Sequence, residues 1–148
     1  MNVNQKEKGF TIIEVVLVLA IAGLIFLMVF IALPALQRSQ RDTARKNDVG
    51  VVAAAVTSYT GNNRGDFPAD AAALDGYVKQ KSQYTTDIFI SGGGSPTYTL
   101  DDGQIQVTLG TRCGASGTNQ ELIEGTAREY TVFTKLESGD GAYFCQNS

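Results

Sequence analysis

The sequence predicts an α+β fold in which one long N-terminal helix packs on a small antiparallel β-sheet. Three observations predict it. Residues 15–33 carry no charge and are almost wholly apolar, long enough for a membrane-length helix. Residues 49–59 place apolar side chains at helical spacing. Beyond residue 84, short runs rich in β-branched and aromatic residues alternate with Gly, Asp and Ser turns. A chain of 148 residues has room for one small core beside that helix, but not for two domains.

The apolar run comes first. At about 1.5 Å per residue it makes a helix of roughly 28 Å, enough to cross the hydrocarbon core of a bilayer. Glu14 stands at its N-terminal end. An acid deep in such a helix costs about 2.5–3.5 kcal/mol, so an intramembrane carboxylate is a candidate functional group. The alternative is a Glu at the interface snorkelling to water, and position alone does not separate the two. The run is longer than a secretory signal core and is followed by no small-residue cleavage site, which predicts a retained anchor. Pro34 lacks an N–H and is expected to bend or loosen the helix without ending it.

Residues 37–48 are polar and charged, as suits an exit from the membrane. Val49, Val52, Val56 and Tyr59 then fall at i, i+3, i+7 and i+10, a stripe expected to pack on a sheet. The helix is predicted to run to about residue 60 with Gly61 as its C-cap. Arg64-Gly65-Asp66 lies in the loop that follows. The tripeptide occurs in cell-adhesion ligands, but Gly-Asp also makes a good turn, and the turn is the favoured reading. Asp70 is a candidate cap for a short helix through about Tyr77.

Strands are predicted at 84–90, 97–100, 105–109, 129–136 and 142–145. Ile105, Val107 and Leu109 alternate with polar residues, so that strand should be half-buried. Asp102-Gly103 is a hairpin-turn signal, and residues 138–141 make a looser connection. Residues 92–96, Gly-Gly-Gly-Ser-Pro, read as a loop within one domain.

Charge and cysteines narrow the function classes. After Gly50 six basic side chains stand against eleven acidic ones, a formal −5, so bulk charge gives no nucleic-acid-binding signal. The chain has no His, which removes the commonest general base. It has no G-x-S-x-G elbow, P-loop or dinucleotide fingerprint, so no enzyme chemistry and no cofactor are expected. Asp101, Asp102 and Asp140 lack EF-hand spacing, and no metal site is expected. Cys113 and Cys145 are too far apart for a CxxC motif. One disulfide between them is the expected reading, against two buried thiols. It would be worth about 3.5–4 kcal/mol in the chain-entropy model and implies an oxidising compartment. The cations of the flanks point the other way. Lys6 and Lys8 precede the span, while Arg38, Arg41, Arg45 and Lys46 follow it, and counted alone these would keep the C-terminal part in the cytoplasm.

The stretch Lys8-Gly9-Phe10-Thr11-Ile12-Ile13-Glu14 resembles the prepilin motif of type IV pilins. Four features coincide: a short basic leader, Gly-Phe, a Glu four residues after the Phe, and an uninterrupted apolar helix. The resemblance covers the first third of the chain strongly and the rest in general organisation. It implies a pilin-like fold and a division into a leader (1–9), a hydrophobic transmembrane and assembly helix (10–36) and a globular domain (37–148). It also implies cleavage by a prepilin peptidase between Gly9 and Phe10, and N-methylation of Phe10. Glu14 then becomes the fifth residue, and its carboxylate is expected to pair with the Phe10 amine of a neighbouring subunit. Gly23 is expected to serve as a close-approach point and Pro34 to shape packing, although many pilins carry the helix proline about one turn nearer the motif. The family keeps the leader in the cytoplasm and the domain outside, which overrides the raw cation count.

The implied function is a subunit of a type IV pilus-like filament, serving adhesion, motility or DNA uptake. Its implied partners are copies of itself, the membrane, a prepilin peptidase, and an assembly ATPase with its platform. Alternatives are a pseudopilin of a secretion system, a membrane-anchored adhesin or receptor, and an anchored hydrolase.

Overall fold

A computed structural model describes residues 9–92, 100–114, 122–139 and 142–148. The chain divides into two compact units, Met1–Gln37 and Arg38–Ser148. Helix α1, Ile12–Asn62, supplies the whole regular structure of the first unit and the opening element of the second.

In the first unit α1 begins with the glutamate half of a capping box. The Glu14 carboxylate reaches back to Thr11 N at 2.9 Å, and the Thr11 carbonyl accepts from Glu14 N at 3.1 Å. The helix runs through Pro34 unbroken, so the expected loosening does not interrupt it.

In the second unit the predicted stripe is found. Val49, Val52 and Val56 are fully buried, and Tyr59 packs at the margin of the core. Burial of each Val is worth roughly 1.5–3 kcal/mol. The helix ends later than predicted. Gly61 lies inside it, and the chain turns at Arg64 (φ 58°) and Gly65 (φ 93°), whose N–H donates to the Thr60 carbonyl at 2.8 Å. That bond satisfies a terminal carbonyl as a Schellman closure does. Asp70 caps as predicted, accepting from Ala73 N at 3.0 Å, but it opens a single 3₁₀ turn, Ala71–Leu74, instead of a helix through Tyr77.

The sheet is mostly antiparallel. Its strands are β1 (Asp87–Ser91), β2 (Gln104–Leu109), β5 (Tyr130–Lys135) and β6 (Tyr143–Asn147), in the order β1-β2-β5-β6. β1 and β2 run parallel, whereas β2–β5 and β5–β6 are antiparallel. Parallel pairing needs a crossover, so β1 and β2 are not a hairpin. The predicted strand at 97–100 falls largely outside the described residues; Leu100 is described and buried, but lies in no strand. Asp102-Gly103 does form a turn, closed by Gln104 N to Asp101 O at 3.2 Å, and it leads into β2. Gly103 is required there: its φ is 90°, and a Cβ would sit 2.7 Å from the Tyr84 carbonyl.

Two short strands were not predicted. β3 (Thr111–Cys113) and β4 (Leu122–Glu124) form a separate antiparallel pair. β3 approaches the sheet face opposite the helix, where Thr111 Oγ1 meets Thr131 Oγ1 at 2.8 Å. The Cys113–Cys145 disulfide joins β3 to β6, with Cα atoms 5.9 Å apart. β5 is therefore buried on both faces. Tyr130 and Val132 belong to the helix-side core, while Thr131 and Phe133 are covered on the other side. Three ranges also shift. The strand expected at 84–90 starts at Asp87, that at 129–136 narrows to β5, and that at 142–145 extends to Asn147.

Candidate functional site: the N-terminal helix and the clamp beyond it

The first unit exposes its apolar surface. Phe10 is 89% exposed, and every large hydrophobic side chain from Ile12 to Leu36 is at least 44% exposed. A continuous apolar surface of this extent marks a lipid or protein contact. By length and composition the helix can cross a membrane. Gly9 and Phe10 precede the helix without regular structure and are exposed, as a cleavage site requires. Lys6 and Lys8 lie outside the described residues.

Glu14 has two donors within its own chain, Thr11 N at 2.9 Å and Thr11 Oγ1 at 2.8 Å. This capping role was legible as T-x-x-E before an apolar run, although the sequence reading treated Glu14 only as a charge. The carboxylate is exposed and keeps lone pairs for a further donor. A Cβ built on Gly23 meets nothing within 4 Å, so nothing in this chain requires that position to lack a side chain.

Beyond residue 37 the helix carries a second constellation that sequence reasoning missed. Asp42, Arg45 and Asp48 are each at most 4% exposed. Glu137, just after β5, binds two arginines: Arg41 Nη2 at 2.6 Å and Arg45 Nη2 at 2.7 Å. Asp42 accepts from Glu137 N at 2.7 Å, from Ser138 N at 2.8 Å and from the Ser138 hydroxyl. Burial pushes the Asp42 carboxyl up, but the hydrogen bonds from Ser138 and Glu137, with Arg45 nearby, hold it below its ordinary value. Asp48 repeats the device on another loop, accepting from Ser82 N at 2.8 Å and from the Ser82 and Thr85 hydroxyls. Two carboxylates on one helix thus pin two separate loops. Among the described residues Arg45 Nε is buried with no partner, so the network fixes position more than it adds stability.

This constellation revises the cation count. Arg41 and Arg45 are paired with Glu137, and Lys46 lies 5.6 Å above the Phe144 ring. Three of the four cations that follow the span therefore have partners in the fold.

The remaining sequence candidates are scattered. Cys113 and Cys145 are bonded to each other. Asp102 pairs with Lys135 at 3.4 Å, and Asp140 lies outside the described residues. Arg64, Gly65 and Asp66 are exposed at the end of α1.

Comparison with known proteins agrees with this geometry. Residues 4–30 match the model of the prokaryotic N-terminal methylation motif. A fimbrial protein of Eikenella corrodens, EcpC, is 30% identical over 151 residues, covering 98% of this chain and 92% of that protein. The chain belongs to the type IV pilin family. No solved structure matches it significantly. A pilin is a structural subunit, and membership of the family implies assembly into a pilus filament.

Proposed function

We propose that this pilin is made as a membrane-anchored precursor, cut after Gly9 by a prepilin peptidase, methylated at Phe10 and polymerised through residues 10–36 into an extracellular filament. The observation that carries the reading is the exposed apolar helix that begins inside the methylation motif and continues past it. Lipid covers that surface before assembly, and sister helices cover it afterwards. Because lipid is as apolar as Leu, the exchange is driven by close packing and polar pairing, and not by the hydrophobic effect. Gly23 supplies a close-approach point, which accounts for a glycine that its own chain does not require. Glu14 pairs with the Phe10 amine of a neighbour. In a dry filament core that pair sets axial register more than it adds stability. Pro34, about one turn later than in many pilins, shifts where the packed helices adjust.

The leader stays in the cytoplasm and the domain lies outside. The disulfide supports that orientation, because such bonds persist in oxidising compartments. Three of the four cations that follow the span serve packing within the domain, which lowers their weight as a cytoplasmic signal. Extraction from the membrane is the task of an assembly ATPase and its platform. The filament serves adhesion, motility or DNA uptake without catalysis or cofactor.

Electron microscopy with intact-mass measurement of sheared surface fibres tests the proposal. The expected species begins at Phe10, is one methyl heavier, and is the bulk of the fibre. A mature chain starting at Met1 or beyond the apolar helix, or fibres lacking this chain, would overturn it.

A further inference from the structure

We propose that the pocket beside the Arg64-Gly65-Asp66 turn binds a carboxylated sugar. The pocket has a volume of about 600 Å3, and its walls include Thr60, Arg64, Asp66, Phe67, Arg128 and Tyr130. Two arginines line one cavity. Among the described residues neither takes part in an ion pair. Glu129, the acid next to Arg128 in sequence, is held by Arg112 at 2.6 Å and by Thr126 N at 2.6 Å. Arginines with no ion-pair partner can take an incoming anion even with Asp66 in the same wall, and the guanidinium fork matches a carboxylate.

The rest of the wall narrows the class. Phe67, half-buried and edge to face with the buried Tyr130 at 5.8 Å between centroids, leaves an apolar patch for the C–H face of a sugar ring. Thr60 Oγ1 donates to the Thr57 carbonyl and so retains lone pairs for a ligand hydroxyl. Asp66 is an exposed acceptor for further hydroxyls, and its charge opposes a phosphate or sulfate dianion. One carboxylate on a polyhydroxyl ring meets all of these groups. Arg64 also holds a left-handed backbone, where a purely structural turn favours Gly or Asn. A side chain kept there at a conformational cost is consistent with use of its guanidinium.

The site lies in the second unit and does not rest on the filament reading. The test is calorimetric titration of the full chain in detergent micelles with a glucuronate trisaccharide. Binding is expected to weaken as salt rises. Arg64→Gln and Arg128→Gln should each weaken it tenfold or more, with the far-ultraviolet circular dichroism unchanged. Arg128 stands outside the helix cap, so its variant separates binding from folding. Lys79→Gln, in the separate groove beside Asp75 and Asp87, should leave binding unchanged. The assembly variant Glu14→Val should bind as the parent does, so failure of polymerisation leaves this result standing. The proposal is overturned by no binding at millimolar ligand, by equal binding of a neutral glucose trisaccharide, by sulfate binding as tightly, or by unchanged affinity in both arginine variants.

Discussion

Helix α1 treats its two parts in opposite ways. Val18 and Val52 are the same residue in the same helix, yet the first is 62% exposed and the second fully buried. The early part presents an apolar surface with no partner in its own chain. The later part buries Asp42, Arg45 and Asp48 beside Val49 and Val52. Hydropathy alone would assign the burial the other way round. What decides burial is whether the chain itself provides the other side. The clamp residues have theirs in the loops at 82–85 and 137–138, whereas the large apolar side chains of residues 12–36 are exposed among the described residues.

The largest expected effect breaks the comparison at its exposed end. Glu14→Val should abolish or nearly abolish filaments, seen by electron microscopy of sheared fibres, while leader cleavage, membrane insertion and the disulfide persist. Normal filament yield with no parent chain present would show that Glu14 serves only its own helix cap.

Next is the clamp. Glu137→Ala leaves Arg45 buried without its carboxylate and should destabilise the domain by about 3 kcal/mol, measured by thermal unfolding in detergent. The same clamp predicts acid sensitivity. Asp42 titrates below its ordinary value in the folded state, so its contribution is present above about pH 4 and is lost as pH falls through the lower folded pKa. Asp42→Asn should flatten that acid limb of the stability curve. An unchanged limb would mean that other carboxylates set it.

A matched pair sharpens the comparison directly. Val52→Ala should cost about 2 kcal/mol through lost burial and a cavity. Val18→Ala should leave the unfolding of the domain unchanged, since Val18 makes no core contact in its own chain. Equal effects would show that the early part of the helix supports the domain.

The smallest effect is at the helix end. Arg64→Gly relieves a left-handed backbone and should stabilise by roughly 0.5 kcal/mol, because the cost at a non-Gly residue is partly offset by the greater freedom of Gly when unfolded. A loss of stability there would mean that the Arg64 side chain supports the turn.

The clamp also shows how far the sequence could be read. Asp42, Arg45, Val49, Val52 and Val56 are spaced three and four apart, one continuous face. The face was legible in the valines and passed over where it turned charged, because a charge at a core position is normally solvent-facing. Glu137 and Ser138, more than 90 residues away, and the Lys135 carbonyl make that burial tolerable. β5 depends on distant groups in the same way. Thr131 and Thr134 are buried, and Thr111 Oγ1 and the Gln104 carbonyl meet their hydroxyls.

By itself the sequence determined whatever depends on neighbouring residues: the membrane-length helix, the processing motif, the valine stripe, the cap at Asp70 and the turn at Gly103. Two cysteines with no competitor made their bond an expectation before any geometry was known. The tertiary structure alone decided the parallel pairing of β1 with β2, the short β3–β4 pair, the helix end at Arg64, and the burial of the Asp42 clamp. Helical and strand periodicities are local and act through the next turn or pleat. Strand order and buried charge depend on groups distant in sequence, and those meet only once the chain has closed on itself.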